Sequence, residues 1–151
     1  MKMSALIAAT LAGWLIAAAP AGAQTMLVTE AEMLASQAAG DLLTPRSATV
    51  PGAPRIELVT PDVKAPVSTP TRILLRFFGS APAQPRPDSF RVLYGMLKLD
   101  ITSRLLGLAK VTQDGLDVAE AALPRGSHTL TLRLEDSVGR ATLQTVQFTV
   151  Q

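Results

Sequence analysis

The sequence predicts an all-β fold, a sandwich of two sheets built from about seven short strands. Two observations predict it. The first is strict alternation at Leu130, Leu132 and Leu134, with Thr131, Arg133 and Glu135 between them. An extended chain turns successive side chains to opposite faces, so this pattern makes a strand with one packed and one wet face. The second is punctuation. From Ala53 onward, turn-forming Gly, Pro, Asp and Ser recur every roughly 8–12 residues, the spacing of strands in a sandwich.

The elements follow in chain order. Lys2 gives a positive start, and Ala5 to Ala19 is an uncharged apolar run that Pro20 breaks. Ala21-Gly22-Ala23 then has the small-residue pattern of a cleavage site. Residues 1–23 therefore read as a secretory signal peptide cut before Gln24. The apolar run is shorter than the ~20 residues that span a bilayer, so no stable membrane insertion is expected after cleavage. Residues 24–52 form a leader. Within it, 28–40 reads as a helix: Thr29 and Glu32 have capping-box spacing, Ala31, Met33, Leu34, Ala35 and Ala38 follow, and Gly40 stops it. Asp41 to Pro54 holds Pro45, Pro51, Gly52 and Pro54, which is linker chemistry that forms no regular ladder.

The sandwich occupies 53–151. Ile56 and Leu58 alternate with Arg55 and Glu57. Ile73, Leu75 and Phe77 face inward, and Arg72 and Arg76 outward. Gly79 to Ser89 reads as a Pro-rich loop. Phe90, Val92 and Tyr94 form the next inward set, with Arg91 outward, and Gly95 turns the chain. Leu97, Leu99 and Ile101 then alternate with Lys98, Asp100 and Thr102 as a further strand. A short strand at Lys110 to Gln113 reaches the hairpin signal Asp114-Gly115, and Leu116 and Val118 begin the return. Pro124-Arg125-Gly126 turns into the last hairpin, closed by Asp136-Ser137-Val138-Gly139. In the final strand Ala141 and Leu143 differ in parity from Val146, Phe148 and Val150, so a bulge is expected between Leu143 and Val146.

Composition bounds the chemistry. Removing 23 of 151 residues leaves 128, with 13 basic against 12 acidic side chains once Lys2 is gone, a net +1. Such a chain offers no case for nucleic-acid binding. There is no cysteine, which excludes disulfides, thiolate metal sites, cysteine nucleophiles and a lipid-anchored N-terminus. The core must hold by apolar burial alone.

Pro124-x-Gly126-x-His128-x-Leu130-x-Leu132-x-Leu134-x-Asp136-x-x-Gly139 resembles the F-strand signature of bacterial immunoglobulin-like and fibronectin type III-like domains. Ser89 to Gly95, followed by Leu99-Asp100-Ile101-Thr102, is similar to their C and C′ strands. The resemblance covers about Ala53 to Gln151 and implies an immunoglobulin-like β-sandwich used as a spacer or recognition scaffold. It implies no activity.

Few residues are candidates to carry chemistry. His128 is the only histidine and shares parity with Leu130, so it points inward, in a corner-packing role analogous to the corner tyrosine of related sandwiches. Ser127 faces the other way, and no nucleophile or carboxylate partner is local. Asp114, Asp117, Glu135 and Asp136 lie at hairpins without a calcium-loop pattern, and Asp136 reads as a turn residue bonding its own backbone. The expectation is therefore no catalytic residue, no metal site and no cofactor. Outward positions Arg91, Leu93, Lys98, Asp100, Thr131 and Arg133 make a mixed, weakly basic sheet face. The function expected is a non-catalytic interaction or structural module of the bacterial cell envelope, periplasmic or secreted, binding a protein partner through loops, a sheet edge or the leader helix. A carbohydrate-binding or enzyme-accessory domain is the alternative, although exposed aromatic platforms are few, and a hydrolase built on dispersed carboxylates is a third. Oligomeric state is not fixed by the sequence.

Overall fold

Two antiparallel sheets face each other across one apolar core in the computed structural model, which describes residues 26–39 and 47–151. The expected signal peptide, the helix stop at Gly40 and the linker residues Asp41 and Pro45 lie outside the described residues. The elements in order are α1 (Glu30–Ala38), β1 (Ala48–Thr49), β2 (Arg55–Thr60), β3 (Thr71–Phe78), β4 (Pro85–Tyr94), β5 (Leu99–Asp100), α2 (Thr102–Leu108), β6 (Val111–Thr112), β7 (Gly115–Ala121), β8 (Gly126–Asp136) and β9 (Ala141–Val150). One sheet has the order β1-β9-β8-β4-β5 and the other β2-β3-β7-β6.

Alternation builds the core as expected. Ile73, Leu75 and Phe77 of β3, Phe90, Val92 and Tyr94 of β4, and Leu130, Leu132 and Leu134 of β8 are all buried. Phe77 meets Phe90 across the gap between the sheets with ring centroids 5.2 Å apart, a spacing at which tilted aromatic rings attract. The Asp114-Gly115 turn joins β6 to β7, pairing Thr112 with Gly115.

Four expectations need correction. The strand expected over Leu97, Leu99 and Ile101 shrinks to β5, and the chain then enters α2, where Ile101 and Leu105 are buried four residues apart. The Asp100 carboxylate accepts the Thr102 amide at 2.9 Å, two residues on, in the turn that leads into that helix, and Leu97 and Leu99 are left exposed. The bulge expected between Leu143 and Val146 is absent: β8 and β9 pair without interruption from Gly126↔Val150 to Glu135↔Ala141. Thr142 therefore turns inward, and it is tolerated there because its hydroxyl donates to the Pro54 carbonyl. The loop expected from Gly79 to Ser89 ends early, since β4 starts at Pro85. A register shift between Arg86 and Arg91 accommodates the prolines in that stretch. The linker does form a short ladder, Ala48 and Thr49 pairing with Leu143 and Thr142.

The leader helix packs on the sandwich. The capping box at Thr29 and Glu32 is formed in both directions. Leu27 and Val28 are fully buried at 0% exposure, each stabilising the docked state by about 1.5–3 kcal/mol. Two glycines make room for α1. A Cβ on Gly95 (φ +65°) would sit 1.9 Å from the Ser36 hydroxyl, and one on Gly126 (φ +133°) 3.0 Å from the Met33 sulfur. The Ser36 hydroxyl then accepts the Met96 amide at 3.0 Å.

Candidate functional site

The six outward positions singled out in the sequence converge on the outer face of the five-stranded sheet. Register sets them in rows. Arg91 of β4 lies opposite Arg133 of β8, and Leu93 lies between Asp100 of β5 and Thr131 of β8. Thr131 in turn lies opposite Thr145 of β9. Lys98, in the turn between β4 and β5, reaches over this row, and its ammonium donates to the Thr131 hydroxyl at 2.7 Å. Thr131 is 4% exposed although it faces outward.

The electrostatics of the face are uneven. Arg133 pairs with Glu135 two residues along the same strand. Arg91 donates to the carbonyls of Asp88 (2.9 Å) and Phe90 (2.7 Å), not to a carboxylate. Lys98 has the Thr131 hydroxyl as its one hydrogen-bond partner among the described residues, and burial pushes its amine below the ordinary lysine value. Lys98 also holds φ +52°, the left-handed region where a side chain costs about 1 kcal/mol that glycine avoids. Sequence parity missed Thr145, because the expected bulge put its facing in doubt. Its Oγ1 is buried without a hydrogen-bond partner among the described residues.

His128 points inward, 2% exposed. Nε2 lies 2.8 Å from the Pro124 carbonyl, which only accepts, so this nitrogen carries the proton. Nδ1 then accepts from the Tyr94 hydroxyl at 2.9 Å, and the ring stacks on Phe148 with centroids 5.5 Å apart. Burial lowers the imidazole pKa, opposed by the Pro124 bond, and raises the Tyr94 phenol to about 12. Every polar atom of the ring is thus committed to the fold.

The dispersed carboxylates stay dispersed. Asp117 is held by the Arg72 guanidinium at 2.8 Å, and Asp100 accepts the Thr102 amide in the turn before α2. Asp136, at 0% exposure, accepts the amides of Val138 and Arg140 and the Arg140 Nε. Burial pushes its carboxyl up, but those donors outweigh the push and hold it below its ordinary value. Among the described residues no group of three or more His, Asp or Glu side chains is placed to hold a metal ion. No matching family, curated protein or solved structure is found for this chain.

Cavities add little chemistry. A void of about 30 Å³ between the sheets, walled by Leu75, Val92, Leu132 and Phe148, has room for one water and no polar group to hold it. Two open grooves of about 650 and 450 Å³ lie between the Pro61–Pro66 loop and β9. Their charged side chains are Glu57, Asp62 and Lys64, of both signs. No helix among the described residues is long and apolar enough to cross a membrane.

Proposed function

We propose that this chain is an exported, non-catalytic interaction module of the bacterial cell envelope, periplasmic or secreted, whose immunoglobulin-like sandwich binds a protein partner. The convergence of Arg91, Leu93, Lys98, Asp100, Thr131 and Arg133 on one sheet face carries this reading. The sheet orders support its immunoglobulin-like part. β2-β3-β7-β6 corresponds to strands A-B-E-D, and β9-β8-β4-β5 to G-F-C with an added C′. The non-catalytic part is supported by the commitment of His128 and Asp136 to structural bonds.

The leader is a poor candidate for the binding element in this reading. Leu27, Val28 and Met33 belong to the core, so pulling α1 away to meet a partner exposes apolar surface. The sheet face is available without that cost. A photo-crosslinking amino acid placed at position 91 is expected to trap a discrete protein species in cells. The same group at position 59, on the other sheet, is expected to trap none. Identical patterns from the two positions, or none from either, would refute the reading. N-terminal sequencing of the exported chain tests the cleavage before Gln24.

A further inference from the structure

We draw no further inference here: the strongest candidate, the open groove of about 650 Å³ along the edge of β9 around Gln147, between the contacts that β9 makes with Ser47 and with Val67, carries nothing because its charged side chains, Glu57, Asp62 and Lys64, are of both signs and nothing among the described residues shows what covers it.

Discussion

Glu32 of α1 and Arg104 of α2 form a two-pronged ion pair, 2.6 Å and 2.7 Å between their nitrogens and oxygens, that ties the leader to a helix 72 residues further along the chain. Arg104 also donates to the Leu27 carbonyl at 3.3 Å, so one guanidinium holds both the helix and the strand-like segment before it.

The pair makes leader docking depend on acid. The Arg104 guanidinium, then the Thr29 amide, hold the Glu32 carboxyl at about 2, below its ordinary 4.5. A depressed folded value means a contribution fully present above 4.5 and lost as pH falls from there toward about 2. Glu32→Gln should cost about 1 kcal/mol at pH 7, given the partial exposure of both partners, and almost nothing at pH 2. Urea denaturation at the two pH values measures this, and hydrogen exchange over residues 30–38 reports whether α1 opens first.

His128→Ala should destabilise by about 2–3 kcal/mol, because it removes two buried hydrogen bonds and leaves the Tyr94 hydroxyl unpaired. The imidazole's folded pKa lies below the ordinary ~6.5, so its contribution is complete above that value and declines as pH falls through it. Wild type should therefore lose stability just below pH 6.5, a step absent in His128→Ala. Thermal melts at closely spaced pH would show the step, and identical profiles for the two proteins would contradict the buried neutral ring.

Leu132→Asp places an unpaired charge between the sheets at a site 3% exposed. Its cost should exceed about 4 kcal/mol and prevent folding, read as collapse of amide NMR dispersion. A folded variant would show that the inward face of β8 is misassigned.

Thr142→Val keeps the shape of the side chain and removes the hydroxyl that serves the Pro54 carbonyl. It should cost about 1–2 kcal/mol, whereas Thr149→Val, on the exposed side of the same strand, should stay within about 0.5 kcal/mol. Equal effects would mean that β9 carries a bulge after all.

Local periodicity reveals the strands and hides what depends on distant partners. The inward facing of His128 and the capping box at Thr29 are legible because neighbours two or three residues away decide them. α2 escaped notice because Leu97, Leu99 and Ile101 continue a period-2 pattern up to the residue where the helix begins, although Ile101, Leu105 and Ala109 carry the helical repeat. Thr142 looks like a surface residue until a carbonyl 88 residues away is placed beside it. On the sheet face, parity marks Thr131 and Arg133 as outward. The arrival of Lys98 over Thr131 depends on a turn whose positive φ no lysine announces.

The position of β9 has a consequence for how the chain is made. This strand pairs with β8 along one side, and along the other with β1 and, through Thr149 and Gln151, with Val67. It thus joins the leader, the mid-chain loop and the neighbouring strand, and synthesis delivers it after all of them. Loop-closure entropy opposes these long-range pairings until their last member is available. While the ribosome is still adding Ala141 to Val150, β8 keeps an open edge and the leader has no closed body to clasp. A form cut before Ala141 therefore lacks each of these pairings at once, so the loss of β9 alone should open the sheet edge, the leader contact and the mid-chain loop together.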